Sequence, residues 1–362
     1  MTTAPAPVAV IMAGGSGTRF WPISRAARPK QLVRIVGDAT MIQATVARLQ
    51  PLIPADRVAV VTTAALAEET RRQLPMLDPA LIIAEPVGRD TAAAVALAAL
   101  VVEHRFPGAP MVLLPADQVI TPADAFQTAL RAGIDAARDG ALVTYGITPR
   151  GPATGYGYIQ VGDRLADRHG CAVATVARFV EKPDLPTAES YLAHGGYRWN
   201  SGIFTWRSDV VLRELATHCP WLIEALAPLR SAIDTPAFDA RLAEVYGPLK
   251  RISIDYALME KAKGVQVVTG AFAWDDVGSW DSLYDHAAAD GAGVRARGDI
   301  TSIDCADSLL VQDGGPAITA VGLHGLTVVS TRDAVLVIPR GESQRVKEIV
   351  DRLKAGGREG ML

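Results

Sequence analysis

From Val8 to about Thr148, short apolar runs alternate with longer stretches of helical period. The segments VAVIMA (Val8 to Ala13), RVAVVTT, ALIIAEP, PMVLLPAD and ALVTYGI read as buried strands. Between them AALAEETRRQL, the alanine-rich stretch after Thr91 and DAFQTALRAGIDAARDG read as helices. Such alternation predicts an α/β fold, a mainly parallel sheet with helices on both faces. Ligands of such sheets lie beyond the carboxyl ends of the strands. Gly14 follows the first strand, Glu85 and Arg89 follow LIIA, and Asp117 follows VLLPA, so all fall on one predicted edge.

After about Thr148 the alternation breaks. GPATGYGYIQVG, ATVARFVEKPD and YRWNSGIFTWR read as strands separated by loops and a helix, and two helical stretches are expected from Ser208 to Leu226 and from Ile254 to Lys263. Beyond Asp285 the pattern becomes short strands punctuated by glycine: SLLVQDGG, AITAVGLHG, LTVVSTRD and AVLVIPRG. This predicts a small β module, a stubby solenoid or sandwich. A last helix, Ser343 to Lys354, carries Val346, Ile349, Val350 and Leu353 as an apolar stripe that packs on its own module or on a second subunit. The expected division is residues 1–285 and 286–362.

Composition narrows the functional classes. The 362 residues are 49% hydrophobic and 21% charged with a net charge of −3, so no overall basic field exists to hold nucleic acid or an acidic membrane. The apolar run Ala92 to Val102 is shorter than the roughly 17 residues that cross a bilayer, and MTTAPAPVAVIMAGG has no basic segment before its apolar run. Three widely spaced cysteines, Cys171, Cys219 and Cys305, suggest neither a disulfide framework nor a zinc site. The six histidines form no HExxH, and a cytoplasmic protein is expected.

The first loop carries the most pointed chemistry. Gly14, Gly15 and Gly17 follow a buried strand and precede Arg19 and Lys30. A turn of this kind aims several amide N–H groups at one point, where an anion sits, although many such turns serve structure alone. The spacing is neither GxGxxG nor GxxxxGK[ST].

The continuation, GGSGTRFWPISRAARPKQLV, resembles the signature of the sugar-nucleotide pyrophosphorylases, and within them the mannose-1-phosphate guanylyltransferase branch. EPVGRDTAAAVALAA, LLPADQVI, YGITPRGPATGYGYI, FVEKPD, WNSGIFTW, SIDYALMEK and WDDVGSW resemble later blocks of the same family, in its order, from Val8 to Asp285. The resemblance implies a Rossmann-like nucleotidyltransferase domain followed by a small left-handed β-helix. It also implies transfer of GMP from GTP to α-D-mannose 1-phosphate, giving GDP-mannose and pyrophosphate with Mg²⁺, in a homodimer. Phe20 stands where the family more often has Leu, Asp90 where it has Asn, and Gln118 where it has His. The stretch after Asp285 is short for an added catalytic domain, so a single activity is expected.

Both reactants are anions, so catalysis is mostly alignment and charge neutralisation; the attacking phosphate is already ionised and needs little help from a base. Arg19 offers a planar fork to the triphosphate and Lys30 a point charge near the α-phosphate; Lys182 would meet the sugar's phosphate. Ala13, Gly14, Gly15, Gly17, Thr18, Glu85, Arg89, Thr91 and Asp117 are the expected nucleotide contacts. Glu85 suits the N1–H and exocyclic amine of guanine, and equally well a plain surface position. Gly157, Glu181, Lys182 and Asn200 are the expected sugar contacts, Asn200 offering both a donor and an acceptor. Asp117 and Asp276 are the expected metal ligands, with helix N-capping as the alternative for each. A pyrophosphorylase for another hexose 1-phosphate or nucleotide, and a non-catalytic regulatory subunit that binds sugar nucleotide, are the rival readings.

Overall fold

The computed structural model describes residues 4–15 and 17–362; residues 1–3 of the N-terminal segment and Ser16 of the glycine turn lie outside them. The chain forms two compact units, one of residues 1–14, 45–116 and 120–274, the other of residues 15–44, 117–119 and 275–362. The second unit therefore takes in the loop after the first strand as well as the C-terminal region.

In the first unit the apolar runs become β1 (Val8–Ala13), β2 (Val58–Thr63), β3 (Ile82–Glu85) and β4 (Pro110–Pro115). The short strand β5 (Val119–Thr121) lies where the chain passes between the units. Then come β6 (Val143–Ile147), β7 (Tyr158–Arg164), β8 (Ala172–Val180), β9 (Tyr197–Arg207) and β10 (Gln266–Thr269). Nine of these build one sheet in the order β3-β2-β1-β4-β9-β6-β10-β8-β7. Strands β3, β2, β1 and β4 run parallel, as the alternation predicts. Strand β9 inserts antiparallel between β4 and β6, making the sheet mixed.

Successive side chains of a strand face opposite sides. Val8, Val10, Ala59, Val61, Met111 and Leu113 join one core with residues of the helices Asp90–Arg105, Ser208–His218 and Pro220–Leu226. The alternate residues Ala9, Ile11, Val58, Val60, Val112 and Leu114 are equally buried, so the sheet is covered on both faces. The helical pattern from Ser208 to Leu226 is interrupted at Cys219 because Pro220 suits only the start of a helix. The stretch expected as a helix from Ile254 to Lys263 is instead one π-helical turn, Asp255–Met259, a geometry often met at functional sites.

In the second unit, after the short strand β11 (Ala273–Asp275), lie β12 (Arg295–Arg297), β13 (Ile300–Ile303), β14 (Leu309–Asp313), β15 (Ile318–Val321), β16 (Leu326–Thr331) and β17 (Val335–Pro339). Strands β12, β14 and β16 stack in parallel, as do β13 and β15. Repeated parallel stacking of alternate short strands is solenoid geometry, which settles the choice between solenoid and sandwich. The last helix begins with a 3₁₀ turn, Ser343–Arg345, and continues over Val346–Ala355. Its stripe packs within its own unit: Val346 is buried in a cluster with Phe20, Trp21, Trp280 and Leu336, and Ile349, Val350 and Leu353 lie against it. Phe20, where the resemblance more often has Leu, meets the Trp280 ring edge-on at 5.1 Å and fills this core. Among the described residues no helix is long and apolar enough to cross a membrane.

Candidate active site

The glycine turn is shaped by Lys30. Gly17 has φ of 57°, and a Cβ there would lie 2.5 Å from Lys30 Cβ and 2.7 Å from the Lys30 amide nitrogen. Both the backbone angle and the space therefore demand glycine. The Gln31 amide donates to Gly15 O at 3.1 Å and the Ser24 hydroxyl to Gly17 O at 2.6 Å, tying the turn to the segment behind it.

Lys30 is buried, and its ammonium donates to Asp117 Oδ2 (3.0 Å), Asp117 O (2.7 Å) and Asp276 O (2.5 Å). Three acceptors meet the three protons of an ammonium, which is what makes burial of the charge tolerable. Asp276 points back toward the first loop: a side chain at Gly278 would meet Arg19 Nη1 and Asp276 Oδ2, each at 3.3 Å. Arg19, Lys30, Asp117 and Asp276, distant in sequence, thus come together in one unit.

Neither aspartate caps a helix: Ser279 precedes the helix Trp280–His286, and Pro122 precedes Ala123–Arg138. Asp275 is used differently from its neighbour. Its Oδ1 accepts from Val277 N at 2.6 Å, and its Oδ2 lies 3.2 Å from His286 Nε2. Val277 itself has φ of 42°, an outlier for a β-branched residue, and backbone strain of this kind concentrates at functional sites. Among the described residues no cluster of three or more His, Cys, Asp or Glu side chains surrounds a common point. Two carboxylates completed by phosphate oxygens and water are the usual protein share of a Mg²⁺ site, so the pair fits a hard divalent ion.

In the first unit Glu85 ends β3 and is 5% exposed, which removes the plain surface reading. Tyr246 Oη donates to its Oε1 at 2.5 Å, and Oε2 lies 3.8 Å from where a Gly14 Cβ would stand. Burial pushes the Glu85 carboxyl up to about 7, with the Tyr246 bond pulling the other way. Arg89 donates to Gly247 O, and the Thr91 hydroxyl accepts from Ile254 N at 2.8 Å, so both anchor the segment after Tyr246. Between them Asp90 has φ of 68°. Asn and Asp are the side chains best suited to that region, so Asp can stand where the resemblance has Asn.

The residues expected around a sugar also converge. A Cβ at Gly157 would lie 2.6 Å from Glu181 Oε2 and 3.3 Å from Asn200 Cβ, so glycine keeps that space open. Lys182 is exposed and donates to Glu181 Oε1 at 2.6 Å. Burial opposes its charge, but Glu181, with Asp255 and Tyr256, outweighs it and leaves its pKa raised. Two residues not singled out from sequence belong here. Asp255 accepts from Asn200 Nδ2 at 3.2 Å, and Thr144 donates to Asn200 Oδ1 at 3.0 Å. Burial, then the Glu181 charge, push Asp255 up to about 7. The SIDYALMEK block was the available signal, but it pointed to no one side chain.

A family model described as "Nucleotidyl transferase" matches residues 8–292. The chain belongs to that family. A second model, "MannoseP isomerase/GMP-like beta-helix domain", matches residues 298–353 of this nucleotidyltransferase. The mannose-1-phosphate guanylyltransferase of Escherichia coli K12 is 40% identical over 354 residues, covering 96% of this chain and 74% of that protein. The xanthan biosynthesis protein XanB of Xanthomonas campestris pv. campestris B100 is 42% identical over 352 residues, covering 96% and 73%. Among solved structures, a Thermus thermophilus protein named as a mannose-1-phosphate geranyltransferase is 34% identical, with a TM-score of 0.85 and coverage of 96% and 99%. The chain is therefore an enzyme of the nucleotidyltransferase class, a family that generally uses a divalent metal.

Two outcomes follow from this geometry. Gly17→Ala should displace Lys30 and lower turnover at least about tenfold, a change of roughly 1.4 kcal/mol in the barrier, while far-ultraviolet circular dichroism stays unchanged; wild-type turnover would show that the turn does not position Lys30. The second concerns pH. A carboxyl raised from its ordinary 4.5 to about 7 contributes stability fully present below about 4.5 and lost as pH rises through about 7. Glu85→Gln, which keeps an acceptor for Tyr246, should lose less stability than the wild type between pH 4.5 and 8. The difference should be on the order of 3 kcal/mol. Equal slopes in denaturation midpoint against pH for the two proteins would refute the assignment.

Proposed function

We propose that the enzyme transfers GMP from GTP to α-D-mannose 1-phosphate, releasing pyrophosphate and GDP-mannose, by direct in-line attack of the sugar phosphate on the α-phosphorus. The observation that carries this reading is the convergence of Arg19, Lys30, Asp117 and Asp276 within one unit, joined to relatives named as mannose-1-phosphate guanylyltransferases. Two anions can react only where cations offset their mutual repulsion. Arg19 binds the triphosphate through its planar fork, and Lys30 exchanges one of its three acceptors for a phosphate oxygen. Asp117 and Asp276 hold Mg²⁺, which supplies charge neutralisation at the phosphates when bound.

Amides of Ala13, Gly14, Gly15, Gly17 and Thr18 line the nucleotide, and Glu85 accepts from N1–H and the exocyclic amine of guanine through Oε2, its Oε1 being engaged with Tyr246. Arg89 and Thr91 serve the nucleotide through the segment they anchor. Glu181 and Asn200 contact sugar hydroxyls over Gly157, and Lys182 meets the sugar's phosphate. The enzyme works in the cytoplasm, where three buried thiols without a disulfide partner are at home. It is a homodimer joined through the C-terminal module, whose paired strands β13 and β15 expose the register partners Ile303 and Val321.

The reading is tested by scoring pyrophosphate release over a panel of nucleoside triphosphates and sugar 1-phosphates with and without Mg²⁺. GTP with mannose 1-phosphate should lead, and Asp276→Asn should lower that rate at least about a hundredfold, as loss of a charge-stabilising group does. Preference for UTP or dTTP with glucose 1-phosphate would sink the substrate assignment, and GDP-mannose binding without turnover at any Mg²⁺ concentration would favour a regulatory subunit. Val321→Asp should halve the mass measured by light scattering; an unchanged mass removes the proposed dimer face.

A further inference from the structure

The Asn200 amide is held from three sides. Its Oδ1 accepts from the Thr144 hydroxyl at 3.0 Å and from Gly202 N at 3.2 Å, which occupies both lone pairs. The Thr144 hydroxyl also lies 3.4 Å from Ile203 O, a longer contact, so its proton goes to Asn200. On the other side Nδ2 gives one of its two protons to Asp255 Oδ1 at 3.2 Å. One N–H remains. Nδ2 lies 3.6 Å from the position of a Gly157 Cβ, and Glu181 Oε2 lies 2.6 Å from the same position. A donor from Asn200 and an acceptor from Glu181 therefore flank the space that Gly157 leaves open. The main chain is fixed as well, Asn200 N donating to Gly157 O at 2.8 Å.

We infer that Asp255 and Thr144 are positioning residues that lock the Asn200 amide in one orientation, so that the pocket offers a sugar one donor and one acceptor and never the reverse. The inference rests on the proposed reading of Glu181 and Asn200 as sugar contacts. The substrate it selects carries a hydroxyl, or two on adjacent carbons, that accept from Asn200 and donate to Glu181. A carboxylate suits the back of the pocket because it accepts only, and the Thr144 hydroxyl and Gly202 N donate to the other end of the amide. The expectation that Asn200 supplies both a donor and an acceptor to the sugar is corrected accordingly: its oxygen is already saturated within the protein.

The experiment compares Asp255→Leu with Asp255→Asn in steady-state kinetics. Leucine removes the acceptor and should raise the KM for mannose 1-phosphate about tenfold while leaving the KM for GTP within about twofold, the size expected when a buried N–H loses its partner. Asparagine can still accept through its oxygen and should restore the KM for mannose 1-phosphate to within about twofold of the wild type. If Asp255→Leu does not fold, Thr144→Val replaces it, with a KM rise of about threefold expected for the sugar phosphate alone and rescue by Thr144→Ser. A wild-type KM for mannose 1-phosphate in Asp255→Leu or Thr144→Val, an equal rise for GTP, or failure of the conservative variant to rescue overturns the inference. Absence of turnover of mannose 1-phosphate by the wild-type enzyme would instead overturn the proposed function on which it rests.

Discussion

A single buried ammonium organises the second unit. Lys30 bonds to Asp117, 87 positions away, and to the main chain of Asp276, 246 positions away, so three segments with no local relation are held by one charge. Taking an ammonium out of water carries a penalty of several kcal/mol unless every proton finds an acceptor. That requirement constrains everything around it. Gly17 lacks a side chain because Lys30 occupies the space, the loop after β4 must bring the Asp117 carbonyl as well as its carboxylate, and the chain after β11 must turn at Val277 to present the Asp276 carbonyl. The strained backbone at Val277 is sustained by the cluster of Val277, Trp280, Phe20 and Trp21 packed around it. Core packing and charge placement are here the same structural fact.

The first unit follows a different logic. Its functional candidates include two acids, Glu85 and Asp255, whose carboxyls are pushed up to about 7 by burial. Each has a polar partner that keeps it in place, Tyr246 for one and Asn200 for the other, and among the described residues neither has a cation hydrogen-bonded to it, although the Lys182 charge acts on Asp255. Keeping such groups costs stability above their ordinary pKa, and a fold tolerates that cost where the group has work to do. Under the proposed function, Glu85 discriminates a base by its hydrogen-bond edge and Asp255 orients a neighbour, so that burial would act in opposite roles, one carboxyl presented to a ligand and the other withheld from it.

The pattern of apolar runs was enough to read the parallel part of the sheet, because a strand buried on both faces is apolar throughout and its length is short. The placement of Gly14, Glu85 and Asp117 at strand ends was legible for the same reason, since Gly14 directly follows β1, Glu85 ends β3 and Asp117 lies just beyond β4. The antiparallel insertion of β9 was not, because nothing in YRWNSGIFTWR says between which strands it pairs. The π-helical turn at Asp255–Met259 cannot be told in sequence from a longer helix, since an apolar period over few residues is shared by α and π geometry.

By itself, then, the chain's sequence determined the fold class, the glycine turn, the kinds of charge gathered for phosphate chemistry and the existence of a glycine-punctuated β module. Tertiary structure alone decided that Lys30 is spent on two aspartate segments, that Asp275 braces a turn while Asp276 faces Arg19, and that Asn200 shows the pocket a proton and not a lone pair. The physical reason is common to all three. Backbone periodicity is a local property repeated every two to four residues, whereas the saturation of a hydrogen-bonding group depends on atoms brought from tens or hundreds of positions away, and only the folded chain supplies them.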